Sequence, residues 1–326
     1  MKTWKDAIFS VDTGGFEALA KELFLFQYEQ NAVYRNYADA IGRRPGTISR
    51  LEDIPFLPIR FFKTHAVTAT DFTPEIIFES SGTTGMVNSR HLLKNDEIYI
   101  ESFMRAFRQF YGDVTTFCVL GLLPSYLERG NSSLVFMVDH LIRESGHPQS
   151  GFYLNDLESL AGTLKKLEAA GQKTLLIGVT YALLDFAEQF PMSLQHTIVM
   201  ETGGMKGRRR ELVRAEVHER LMQEFKLTDV HSEYGMTELL SQAYSKGKGV
   251  FNTPPWMKIV LREEDDPLSL LNRPGRGVLN VIDLANVYSC SFIATDDLGL
   301  VHANGSFEVL GRRDNSDIRG CSLLAL

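Results

Sequence analysis

Residues 80–85 read Ser-Ser-Gly-Thr-Thr-Gly, directly after the apolar run Glu75-Ile76-Ile77-Phe78 and Glu79. Small residues and hydroxyls at this density build either an ordinary turn or an anion cradle. In a cradle the glycines let the backbone turn its N–H groups toward an anion such as phosphate, and the hydroxyls of Ser80, Ser81, Thr83 and Thr84 add donors. No Gly-Lys-Ser/Thr follows Gly82 or Gly85, so the stretch is not the phosphate loop of kinases and GTPases. Three more short motifs come later: "YGMTE" at Tyr234–Glu238, "TDDLG" at Thr295–Gly299 and "GRRD" at Gly311–Asp314. Taken singly, these are a turn bearing an acid, a hairpin turn and a surface loop with an ion pair of little worth. Taken in order, they are four polar motifs, each at the end of an expected strand, where α/β proteins gather ligands.

The elements that must position these motifs alternate. Helical spacing of apolar residues predicts helices over 15–28 and 31–41, and two prolines in "DIPFLPIRFFKTHAV" favour extended chain. A strand "EIIFE" leads into the Ser/Gly/Thr loop, and Asn95 or Asp96 caps a helix running to about Tyr111. Through the middle, "TFCVLGLL", "KTLLIGVT" and "HTIVMETGG" read as buried strands. They alternate with helices in "SLVFMVDHLIRES", "DLESLAGTLKKLEAAG", "YALLDFAEQF" and "RRRELVRAEVHERLMQEF", after which "TDVHSEYGMTE" is a strand and loop. The expected fold class is therefore α/β, with a mostly parallel sheet flanked by helices. After Phe251 the pattern changes to short strands with Gly and Asn/Asp turns, a β-rich subregion over 251–310. No composition shift marks an independent second domain, so 1–310 reads as one domain and 311–326 as a hinge-like tail.

Bulk composition narrows the function classes. The chain has 326 residues, 44% hydrophobic and 23% charged, with a net charge of -7, an ordinary soluble composition. Mild acidity argues against nucleic acid as the main partner, and the run "KGRRR" reads as the exposed start of a helix. The N-terminus has no apolar core of signal-peptide type, and no apolar run is long enough to span a membrane. Cys118, Cys290 and Cys321 lie far apart with no metal-site spacing, which points to free thiols in a reducing, cytoplasmic compartment. Cys118 and Cys290 sit in apolar strands and read as core. Cys321, the sixth residue from the end, is either a small buried apolar residue or a thiol nucleophile that Arg319 helps to ionise.

The order of the four motifs resembles the adenylate-forming superfamily of acyl-CoA synthetases, luciferases and peptide-synthetase adenylation domains. "SSGTTG" looks like its phosphate-binding loop, "YGMTE" is similar to its Tyr-Gly-x-Thr-Glu motif, "TDDLG" resembles Thr-Gly-Asp-Leu-Gly, and "GRRD" resembles the Gly-Arg-x-Asp that leads into a hinge. The resemblance implies ATP and Mg2+. Ser80, Ser81, Gly82, Thr83, Thr84 and Gly85 would cradle the ATP phosphates. Thr237 would contact the α-phosphate, and Glu238 would hold the metal. Asp297 would take both ribose hydroxyls, and Arg312 would reach ribose or phosphate. Gly203 and Gly204 would pass close to adenine, on which Tyr234, followed by Gly235, would stack. "IPFLPIRFFKTHAV" and the terminal "IRGCSLL" look like the narrower group of acyl-protein synthetases of the LuxE type. That group activates a fatty acid with ATP, passes the acyl group to its own cysteine, here Cys321, and then to a partner reductase.

Two departures from the superfamily pattern are visible. The lysine that follows the phosphate loop is replaced, with Asn88 near that place and Arg90 as the nearest cation. The mobile C-terminal domain of roughly a hundred residues, with its catalytic lysine, is expected to be missing. Residues 120–138 and 178–186 are candidates for an apolar acyl slot or are simply core, and His231 either borders the carboxylate site or is packed within the fold. An acyl-CoA or other thioester ligase acting on a free thiol, and a nucleotide-binding subunit without catalysis, are the rival readings.

Overall fold

Apolar runs without charge become the central strands. In the computed structural model, which describes residues 3–80, 87–124, 130–203 and 212–313, strands Cys118–Leu122 and Thr174–Gly178 are buried at every position. Such strands need cover on both faces, as parallel sheets do. They pair in parallel with each other, and Thr174–Gly178 also with Thr197–Glu201, which pairs with His231–Tyr234. Cover comes from helices Leu157–Ala169, Thr180–Gln189 and Arg214–Phe225, whose Leu160, Leu164, Leu183, Phe186, Leu221 and Phe225 join one apolar core with Leu120, Leu122 and Leu176. The ends of these helices follow local chemistry. The Asp156 side chain accepts from Ser159 N at the start of Leu157–Ala169, and Gly171 closes it with φ +65°.

The described residues divide into two compact units. One takes 107–235 and 243–251 and contains this parallel sheet. The other takes 3–106, 236–242 and 252–313 and is antiparallel. Its strands Met257–Arg262, Gly275–Asp283, Phe292–Val301 and Phe307–Arg312 pair in sequence, and Leu57–Pro58 joins Phe292–Val301 in parallel. A separate hairpin pairs Ile76–Glu79 with Arg90–Leu93 around residues 80–89. Helix Phe16–Gln30 packs in this unit through the buried Gln27. The Gln27 amide donates to the carbonyls of Asn286 and Val287 and accepts from Ser291 N.

Two sequence expectations are corrected. "TDDLG" is not a turn at a strand end: it lies inside the ten-residue strand Phe292–Val301, which joins what read as two strands. Phe307–Arg312 pairs with it from Asp297, which stands opposite Arg312, while Gly275–Asp283 pairs with Leu298 and Gly299 and with Ala294, its register shifting across Thr295–Asp297. The helix expected over 208–225 begins at Arg214. Val213 is extended, and its N–H is taken by the Glu216 carboxylate at 3.1 Å, a cap that fixes the start. Residues 204–211, with "KGRRR", lie outside the described residues.

Candidate active site

In the antiparallel unit the chain leaves strand Ile76–Glu79 at Ser80 and returns at Ser89. The two ends are clasped. Ser80 N donates to the Ser89 carbonyl at 3.0 Å, and Ser89 N donates to the Ser80 hydroxyl at 2.9 Å. The buried Ser89 hydroxyl in turn bonds the Glu238 carboxyl. Burial raises the pKa of that carboxyl above its ordinary value, with Asp297 pushing the same way, while Ser89 and the Arg312 guanidinium pull it back. Asp297 and Arg312 pair directly, Nε to Oδ1, at 3.2 Å. Ser80, Ser89, Glu238, Asp297 and Arg312 therefore belong to one cluster in this unit.

The turn carrying Thr237 and Glu238 is fixed from beneath at four of the five residues 237–241. His91 Nδ1 meets the Thr237 carbonyl at 2.8 Å; a carbonyl only accepts, so Nδ1 carries the proton. Burial keeps this imidazole neutral, with its pKa lowered to about 4. Asn286 Nδ2 donates to the Glu238 carbonyl at 2.7 Å. Asp283 accepts from Leu240 N, Ser241 N and the Ser241 hydroxyl. Burial lifts the Asp283 carboxyl to about 6 in spite of these donors. Beneath "TDDLG", the buried Arg262 donates to the carbonyls of Leu279 and Thr295 and to Asn280 Oδ1. No sequence signal marked Ser89, His91, Asp283, Asn286 or Arg262, because each acts through a residue far away in the chain.

The parallel unit holds Gly203, Tyr234 and Gly235. Strand Thr197–Glu201 ends in the buried Glu201, whose carboxylate accepts from Gly203 N at 2.7 Å, Thr180 Oγ1 at 3.2 Å and Arg214 Nε at 3.2 Å. Burial alone would raise this carboxyl, but His218, Arg214, Ser232 and the Gly203 N–H together take it down to about 2. Gly203 stands in the left-handed region, φ +75°, and Thr180 N closes the segment on the Gly203 carbonyl at 2.9 Å. Tyr234 is buried, its ring 6.0 Å from that of Phe251. Nearby, the Tyr111 hydroxyl lies 3.2 Å from His231 Nδ1. Burial lowers His231 to about 4, and burial followed by the charge of Glu201 raises Glu233 to about 8.

Ser81, Gly82, Thr83, Thr84, Gly85, Gly204, Asp314 and Cys321 lie outside the described residues. Cys118 and Cys290 are fully buried, as expected, and burial pushes their thiols up to about 11 and about 12. Arg90 is an exposed side chain 3.8 Å from Glu79. Among the described residues no group of three or more His, Cys, Asp or Glu is placed to hold a metal, and no helix is long and apolar enough to cross a membrane.

This architecture has known counterparts. ATP-bound MatB from Rhodopseudomonas palustris superposes with a TM-score of 0.54 at 18% identity over 75% of this chain; the chain spans about half, 50%, of that protein. An open conformation of 2-hydroxyisobutyryl-CoA ligase, in complex with 2-HIB-AMP and CoA, superposes at 0.61 and 13% identity, covering 93% of this chain and 75% of that one. The fold is thus that of the adenylate-forming ligases. The sequence is also 22% identical to the long-chain-fatty-acid–luciferin-component ligase of Vibrio harveyi, over 94% of this chain and 85% of that protein. For the protein of the same name from Aliivibrio fischeri the values are 24%, 94% and 86%. The family model for acyl-protein synthetase, LuxE, matches residues 16–325, and the chain belongs to that family. It is an AMP-forming ligase that activates an acid.

Proposed function

We propose that this ligase joins a fatty acid to ATP as acyl-AMP and then transfers the acyl group to its own Cys321. In the first step a carboxylate oxygen attacks the α-phosphorus and pyrophosphate leaves. In the second the Cys321 thiolate attacks the acyl carbonyl, AMP leaves and a thioester remains. The fatty character of the acid rests on the names of the curated relatives. One observation carries the site assignment: the Ser80–Ser89–Glu238 linkage beside the Asp297–Arg312 pair. Glu238 is a nearly dry carboxyl with one hydroxyl donor and a guanidinium in range. That suits Mg2+, which takes one or two carboxylates and completes its shell with phosphate and water.

In this reading Ser80, Ser81, Thr83 and Thr84, with the backbone of Gly82 and Gly85, hold the phosphates, and Thr237 meets the α-phosphate. Glu238 holds Mg2+, which supplies neutralisation of the phosphate charge. Asp297 accepts from the ribose hydroxyls, Arg312 meets ribose or phosphate, and Gly203, Gly204 and Tyr234–Gly235 border the adenine. Catalysis is then positioning and electrostatics. The 1–310 stretch would serve as the adenylating body and 311–326 as the tail that carries the thiol to the adenylate and on to a protein acceptor.

The test is intact-protein mass after incubation with Mg-ATP and a panel of carboxylic acids. The expected result is a gain of one acyl group, removed by hydroxylamine and absent in Cys321→Ala, with pyrophosphate release retained in that variant. Thioester formation on an added free thiol with no adduct on the chain would replace this reading by a thioester ligase. ATP binding without pyrophosphate release would replace it by a nucleotide-binding subunit.

A further inference from the structure

Two buried side chains contact the backbone of the Thr237–Glu238 turn from segments far away in sequence. His91 Nδ1–H donates to the Thr237 carbonyl at 2.8 Å, and Asn286 Nδ2 donates to the Glu238 carbonyl at 2.7 Å. A buried carbonyl must find a donor, and a turn residue ordinarily finds water. Here both donors are rigidly held. The His91 and Phe62 rings meet edge to face, with centroids 5.7 Å apart and planes at 85°. Asn286 is 0% exposed, and its own carbonyl is fixed by the Gln27 amide at 3.0 Å. The Asn286 side chain also stands beside the His91 ring. Apolar side chains could fill this space but would leave the Thr237 and Glu238 carbonyls without these donors, so packing alone does not account for the pair.

His91 also stands on the strand that returns from the Ser/Gly/Thr loop, opposite Phe78, two residues beyond the Ser89 whose hydroxyl bonds Glu238. One short strand therefore ties the base of that loop to both the backbone and the carboxylate of the turn. We propose that His91 and Asn286 are positioning residues: by holding the Thr237 and Glu238 carbonyls, they fix the Thr237 hydroxyl and the Glu238 carboxylate in register with Ser80 and Ser89. This rests on the proposed assignment of that turn to phosphate and Mg2+.

The test compares donors placed at the two ring nitrogens of residue 91. Asn puts its amide N–H where Nδ1 stands, and Gln puts it where Nε2 stands. In acid-dependent pyrophosphate release, His91→Asn is expected to keep kcat within a few-fold of wild type. His91→Gln and His91→Phe are each expected to lose about 10- to 100-fold, the usual effect of removing a partner that orients a metal ligand. Half-saturation in Mg2+ should rise about tenfold in the same two variants, with KM for the acid unchanged. Asn286→Asp, close in shape but without the donor, is expected to match them. Equal rates and equal Mg2+ dependence in His91→Asn and His91→Gln, or a wild-type Mg2+ profile in Asn286→Asp, would overturn the proposal while leaving the proposed function standing. Absence of pyrophosphate release from the wild-type chain with every acid would overturn both.

Discussion

At the scale of single residues, burial sets the charge state of the groups that matter. Asp297 and Arg312 stand opposite each other in paired strands, 3.2 Å apart. The Arg312 side chain is largely exposed, so the pair adds little to stability. Its expected worth is in the reaction: Arg312→Ala should lower ATP–pyrophosphate exchange on the order of 100-fold, with almost no change in melting temperature. Glu233 leads to a pH prediction. Its carboxyl rises from 4.5 to about 8, through burial and then the charge of Glu201. Between those values the folded chain keeps a proton that the unfolded chain has released, so stability falls as pH rises. His231 and His91 act in the opposite sense. Burial lowers both from 6.5 to about 4, so their contribution is lost as pH falls through that window. Above pH 6.5 Glu233 is no longer opposed by either histidine. The urea midpoint of the wild type should therefore drop between pH 6.5 and 8, and Glu233→Gln should flatten that slope.

At the scale of elements, two glycines serve for different reasons. Gly299 lies in the strand Phe292–Val301 where pairing shifts register. A Cβ there would stand 2.6 Å from the Glu308 carbonyl and 2.5 Å from Leu279 Cδ2. Gly299→Ala should force the strands apart and cost about 1–3 kcal/mol by denaturant titration. It should also weaken nucleotide binding, because Asp297 and Arg312 share that pairing. Gly203 has open space around its Cα but φ +75°. Gly203→Ala should cost about 1–2 kcal/mol from backbone strain alone, read by the same denaturant titration.

For the whole molecule, the prediction concerns linkage between ligand and fold. A ligand that binds only the folded chain adds about 2.7 kcal/mol at a hundred times its Kd, which for a chain of this size moves the melting temperature by about 4 °C. Mg-ATP should produce such a shift in the wild type and in Cys321→Ala alike. Asp297→Ala should abolish it, since the ribose contact proposed for Asp297 would precede any chemistry. A scanning-calorimetry series with and without Mg-ATP reads this directly.

The sequence by itself determined the order of buried strands and covering helices, the two core cysteines and the motifs that place the chain among adenylate-forming enzymes. These signals are local: an uncharged run such as Cys118–Leu122 must be buried wherever the chain goes, and "YGMTE" is legible without its surroundings. Tertiary structure decided what pairs with what. "TDDLG" looked like a turn because Asp and Gly suit turns, yet two flanking strands from other parts of the chain hold it extended. Ser89, His91, Asp283, Asn286 and Arg262 carried no motif because their partners are carbonyls, N–H groups and a carboxylate brought close only by folding. A backbone carbonyl has no residue type, so no pattern of side chains announces the donor that will hold it.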